Sequence, residues 1–132
     1  MQKLAKDLTI SLGADKPGAI AKATDAIAKA GINLEGYAEM NGTLHALTED
    51  ASRTRRALEE AGFKVTDERE VAVMDVQDRP GIAAGIFRQI ADDNLNVDFS
   101  YVAANNRVVI GAKDVKKLTE LFSLETAGAA RR

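Results

Sequence analysis

The chain has 132 residues, enough for one ordinary domain or two very small ones. Its 18 basic and 20 acidic residues nearly cancel, which argues against a general nucleic-acid binder. With no cysteine and a single histidine, disulfides and thiolate zinc sites are excluded, and the low aromatic content (5%) leaves a core to be built from Ala, Val, Leu and Ile.

Met1 to Asp7 show neither a signal-peptide core nor the ~20 apolar residues of a membrane span, so a soluble, cytoplasmic protein is expected. Leu8, Ile10 and Leu12 alternate with Thr9 and Ser11, the period of a strand with one buried face. Asp15-Lys16-Pro17-Gly18 then makes a turn. Ile20, Ala23, Ile27 and Ala30 fall along one helical face, and Gly31 ends that helix. Leu34 to Met40 runs through Asn41-Gly42, a strong hairpin signal, into Thr43 to Leu47. A second helix starts at Asp50 as N-cap, carries Thr54, Leu58 and Ala61 on one face and closes at Gly62. Phe63 to Glu70 supplies a fourth strand.

The second half repeats the first. Asp78-Arg79-Pro80-Gly81 matches Asp15-Lys16-Pro17-Gly18 at an offset of 78 − 15 = 63. Read without gaps, that offset carries Ile27 onto Ile90, Asn33 onto Asn96, Leu34 onto Val97, Leu47 onto Ile110 and Leu58 onto Leu121. The elements recur as a strand (Val71 to Val76) and a helix with Ala83, Ile86, Phe87 and Ile90 on one face, ending near Asn94. Next come Val97 to Ala103, a turn at Asn105-Asn106, Arg107 to Gly111, and a helix from Asp114 carrying Val115, Leu118, Leu121 and Phe122. The expected fold is α+β: two ferredoxin-like βαββαβ modules, residues 1–69 and 70–132. The tail after Phe122 has one large apolar residue, Leu124, so the second module lacks a convincing last strand. Its sheet is short, or its edge is completed by the N-terminal residues or by another chain.

The recurring Asp-basic-Pro-Gly turn is the feature with chemistry behind it. Proline fits a first-turn position, having no N–H to lose, and glycine lets a ligand approach the backbone. The N–H groups of Ala19 and Ile20, or of Ile82 and Ala83, would then face one spot with the helix dipole behind them, which suits a carboxylate. A tight turn with no ligand satisfies the same geometry. Asn33 and Asn96 each offer a donor and an acceptor at the start of a strand. His45 has no evident partner, and Arg53, Arg55 and Arg56 among acidic residues read as a solvated face. No metal-ligand spacing, nucleophile elbow or phosphate loop is present, so neither catalysis nor a cofactor is expected.

The strings Asp15-Lys16-Pro17-Gly18 with Ala30-Gly31-Ile32-Asn33-Leu34, and Asp78-Arg79-Pro80-Gly81 with Asn94-Leu95-Asn96-Val97, resemble the ACT domain signature, with Asn94 in place of the glycine at the helix end. The resemblance covers roughly Leu8 to Phe122 and is to small stand-alone proteins of two ACT modules. It implies modules side by side in one extended antiparallel sheet with helices on one face, acting as an amino-acid-binding regulatory sensor. The ligand site it implies comprises Asp15, Lys16, Pro17, Gly18, Ala19, Asn33 and Leu34, and Asp78, Arg79, Pro80, Gly81, Ile82, Asn96 and Val97. The partners it implies are a free amino acid and a second copy in a homodimer. The alternative is a regulatory subunit docking onto an amino-acid biosynthetic enzyme. An RNA-binding sheet would need aromatic residues and basic flanks, and Tyr37, Phe99 and Tyr101 match no such motif. Neither a nucleic-acid nor a membrane partner is expected.

Overall fold

The computed structural model describes residues 2–13 and 17–123. Their elements run β1 (Gln2–Ser11), α1 (Ala19–Lys29), β2 (Gly36–Met40), β3 (Thr43–Leu47), α2 (Ala51–Glu60), β4 (Lys64–Asp75), α3 (Ile82–Asp92), β5 (Phe99–Ala103), β6 (Arg107–Gly111) and α4 (Val115–Phe122). The tail containing Leu124 lies outside the described residues.

Local chemistry accounts for the breaks between elements. Gly18 and Gly81 stand at φ 92° and 91°, the left-handed conformation that favours glycine, and lead directly into α1 and α3. Asn41-Gly42 turns the first hairpin with both residues at positive φ. Asp50 and Asp114 cap α2 and α4, each accepting from a backbone N–H three residues on (Arg53 and Lys117, both at 3.1 Å). Replacing either aspartate with alanine is expected to cost about 1 kcal/mol. Thermal melts should show a fall of roughly 4 °C, largely restored by asparagine.

The chain forms two compact units, and the division cuts through β1 and β4. One unit is Lys6–Arg69. Its core sets Leu8, Ile10 and Leu44 of the strands against Ala23 and Ile27 of α1 and Leu58 of α2, with Val65 joining from the start of β4. The other unit begins at Glu70 and also takes in the chain start through Ala5. Its core sets Ala72, Met74 and Ile110 against Ile90 of α3 and Leu118 of α4, and Leu4 packs into it from the first strand of the chain. Of the ways the second unit could be completed, the N-terminal residues are the ones that join it.

The pairings β1/β3, β2/β3, β4/β6 and β5/β6 are antiparallel. The six strands close in the order β1-β3-β2-β5-β6-β4, a barrel accompanied by four helices. This corrects the expectation of two ferredoxin-like modules side by side in an extended sheet covered on one face. The physical reason lies in β1 and β4, of 10 and 12 residues. Each is far longer than its module requires and serves both units, so no strand is left as an edge. The second half of β4 reflects this: Val71, Ala72, Val73 and Met74 are all buried, on both faces of the strand.

The repeat is also not gapless. The two capping aspartates are 114 − 50 = 64 apart. Thr43 pairs with Ser11 and Met40, as Arg107 pairs with Asp75 and Ala103, so β3 and β6 are likewise offset by 64. Helices α1 and α3, with their glycines, keep the offset of 63. One extra residue in the first strand-to-helix loop and one in the second hairpin account for the change. His45 therefore corresponds to Val109, Leu47 to Gly111 and Leu58 to Phe122. At Gly111 the change is compensated locally: Phe99 lies across the glycine, where any Cβ would strike its ring.

Candidate functional site

Of the first loop's expected site residues, Asp15 and Lys16 lie outside the described residues. Pro17 and Gly18 are exposed and Ala19 is half-buried against the first core. In the second loop Asp78, Arg79, Pro80 and Gly81 are exposed and Ile82 is half-buried. The Ile82 N–H is not wholly free, since it reaches the Arg79 carbonyl at 3.4 Å. Arg79 is further held by its side chain, whose Nε donates to Gln77 Oε1 at 2.8 Å.

Asn33 and Asn96 are both exposed, while Leu34 and Val97 turn inward and pack on the cores of their own units. Strand register separates these residues from the loops. Ser11, just before the first loop, lies opposite Thr43 at the hairpin, whereas Gly36, just after Asn33, lies opposite Leu47 at the other end of β3. Four residue steps at ~3.3 Å place the two ends roughly 13 Å apart. The second unit repeats this: Asp75 lies opposite Arg107, and Phe99 opposite Gly111. Within a unit, loop and asparagine do not share a site.

What the second loop does share a site with is the β5–β6 hairpin. A cleft of about 210 Å³ opens between them, lined by Val76, Gln77, Asp78, Arg79, Ile82, Ala83, Ile86, Val102, Asn106, Arg107 and Val108. Val76, Ile82, Ile86 and Val108 give it buried and half-buried apolar lining, Arg107 is half-buried, and Asp78 and Arg79 are exposed. Arg107 is braced by its Nε, which donates to the Ala104 carbonyl at 2.7 Å. Sequence reading missed Val102, Asn106 and Arg107, although the antiparallel hairpin order already returns that turn to the end of the preceding strand. Asn96 lines a separate, more polar hollow of about 170 Å³ with Asn94, Leu95, Asp98, Lys113, Asp114 and Lys117.

His45 does have a carboxylate partner. Its Nδ1 lies 3.0 Å from Oδ1 of Asp7, a fully buried side chain, and Thr9 Oγ1 lies 3.5 Å from both groups. Asp7 and Thr9 approach the same ring nitrogen, so the imidazole does not link carboxylate to hydroxyl as a nucleophile relay would. Among the described residues no cluster of three His, Cys, Asp or Glu could hold a metal ion, and no helix is long and apolar enough to cross a membrane. Of the arginines read as a solvated face, Arg53 Nη2 donates to the Ala30 carbonyl at the end of α1 (2.6 Å). Arg55 meets Glu59 and Glu68, and these hydrogen bonds, Glu59's first, raise its pKa above the ordinary value.

No protein-family model matches the chain, and no curated protein matches it. Solved structures do. Protein BT0572 from Bacteroides thetaiotaomicron has a TM-score of 0.79 at 27% identity, over 92% of this chain and 88% of that one. The regulatory subunit of aspartate kinase from Thermus flavus has a TM-score of 0.65 at 18% identity, over 93% of this chain and 92% of that one. E. coli aspartokinase III in complex with lysine and aspartate, in its T-state, has a TM-score of 0.58 at 15% identity. That match takes in 92% of this chain but 32% of the kinase chain. The fold of this chain is thus similar to that of aspartate kinase regulatory subunits, nearly end to end.

Proposed function

We propose that the chain is a non-catalytic, cofactor-free regulatory protein. In this reading it binds a free amino acid at the loops opened by Asp15-Lys16-Pro17-Gly18 and Asp78-Arg79-Pro80-Gly81 and works as a homodimer. The observation that carries the reading is the match over 93% of this chain and 92% of the regulatory subunit of aspartate kinase from Thermus flavus. The recurring turn supports it, because both copies set a left-handed glycine against the first residue of a helix, where backbone can approach a ligand. A ligand acts on such a protein only through its difference in affinity between two states.

Thermal shift against each amino acid tests this. A true ligand at 100 times its Kd stabilises by about 2.7 kcal/mol, a rise of several degrees. Gly18→Asp and Gly81→Asp each place a carboxylate where the ligand's own would lie, and the double variant is expected to lose the whole response. No shift with any amino acid while the protein stays folded would sink the proposal.

A second reading, regulation by docking onto a separate amino-acid biosynthetic enzyme, is favoured by the kinase match in which this fold accounts for 32% of a longer chain. It predicts a stoichiometric complex in the native host, and an enzyme whose feedback sensitivity falls when this protein is removed. A purified protein that binds its amino acid but retains no enzyme would count against it.

A further inference from the structure

We infer that the second loop takes a small α-amino acid with a branched, apolar side chain, and that the first loop does not. The inference rests on the amino-acid reading above and adds to it the class of side chain and the inequality of the loops.

The cleft beside the second loop is built in two layers. Its wall is aliphatic, with Ile82 and Ile86 from α3 facing Val108 and Val102 from the hairpin. An apolar cavity of ~150 Å³ accepts a benzene molecule, so about 210 Å³ holds a four-carbon side chain with its head group at the rim. Val102 is 74% exposed at this cleft, a large apolar side chain left in water that an aliphatic tail would cover. The rim carries both signs of charge. The Gln77 contact fixes the Arg79 guanidinium through Nε, leaving terminal amino groups that bond to nothing else among the described residues. That is the fork geometry a carboxylate meets bidentately. Arg107 adds positive charge across the opening, and Asp78 offers the ammonium its counter-charge.

The first unit lacks the aliphatic wall and the hairpin cation in register. Helix α1 has Ala19 and Ala23 at the positions of Ile82 and Ile86 in α3. Glu39 pairs with Leu44 as Val102 pairs with Val108, and Thr43 holds the place of Arg107. Glu39 is committed to its own hairpin, where its Oε2 accepts the Gly42 N–H at 3.0 Å. The aliphatic wall has become two alanines and a carboxylate, and the cation a threonine.

Isothermal titration calorimetry of the full chain tests this with L-leucine, L-isoleucine, L-valine, L-lysine, L-aspartate and 4-methyl-2-oxopentanoate. The branched amino acids are expected to bind at one per chain, and lysine and aspartate at least 50-fold more weakly. The oxo acid, lacking the ammonium, should bind about tenfold more weakly than leucine. Val102→Glu and Arg107→Thr copy the first unit and should each weaken leucine at least 30-fold, with the free protein still folded by circular dichroism. Tighter binding of lysine or aspartate, or full leucine affinity in Val102→Glu, overturns the side-chain class while the amino-acid reading stands. Two leucines per chain overturns the inequality of the loops. An oxo acid bound as tightly as leucine overturns the role of Asp78. Silence from these five amino acids and from every other in the thermal-shift screen removes the underlying reading itself.

Discussion

Leu4→Ala is expected to destabilise the second unit by about 3 kcal/mol, although most of that unit begins 70 − 4 = 66 positions further along the chain. Leu4 is 8% exposed and packs with Ala72, Met74, Ile110 and Leu118, so truncation leaves a cavity among side chains that are themselves fully buried. Surrounding strands cannot collapse to fill it without giving up their register, which keeps the cost within the range for a buried leucine. Urea unfolding should show the loss, and the melting temperature should fall by roughly 10 °C. Hydrogen exchange locates it: the amides of Ala72 to Met74 and Ile110 lose protection while those of α1 keep theirs. Gln2→Ala, an exposed change two residues away, should cost under about 0.5 kcal/mol. Protection lost first within Lys6–Arg69 would contradict the assignment of Leu4 to the second core.

This dependence is what the amino-acid sequence concealed. The helices, both hairpins and both aspartate caps were legible, because each is specified locally: a 3.6-residue stripe, an Asn-Gly turn, a side chain that satisfies its own helix start. Strand partners are not local. Alternation in Leu8, Ile10 and Leu12 shows which face is buried, but not that the same strand reaches back through Lys6 to place Leu4 in another core. The charged run Glu68-Arg69-Glu70 likewise reads as the end of a fourth strand or a link between units, yet it lies in the middle of one strand whose ends, Val65 and Met74, serve different cores. One signal of closure was available: Val71-Ala72-Val73-Met74 is an unbroken apolar run, the pattern of a strand covered on both faces rather than one. At the site, the loop was legible from its motif, while Val102 and Arg107 belong to a hairpin that only register brings to the loop. Asn33 and Asn96 recur because the repeat recurs, and recurrence alone did not place them near the glycines.

The repeat also supplies its own control for the buried polar cluster. Asp7, Thr9 and His45 stand in register with Val71, Val73 and Val109, all three fully buried, so one scaffold holds a carboxylate–imidazole pair in one unit and three valines in the other. His45→Val is expected to cost about 3 kcal/mol, because it strips the imidazole from a carboxylate that has no access to water. Asp7→Val should cost less, since it removes the buried charge and leaves a histidine that is 19% exposed and can reach solvent. The triple change Asp7→Val, Thr9→Val and His45→Val restores an apolar surface of the kind the second unit already packs. It is expected to equal the parent protein or exceed it by about 1–4 kcal/mol. The three changes are therefore strongly non-additive, as expected for groups in direct contact. Urea unfolding of the three variants decides the matter. A triple variant more than 2 kcal/mol below the parent would mean that the polar cluster stabilises this strand pair beyond what aliphatic packing can replace.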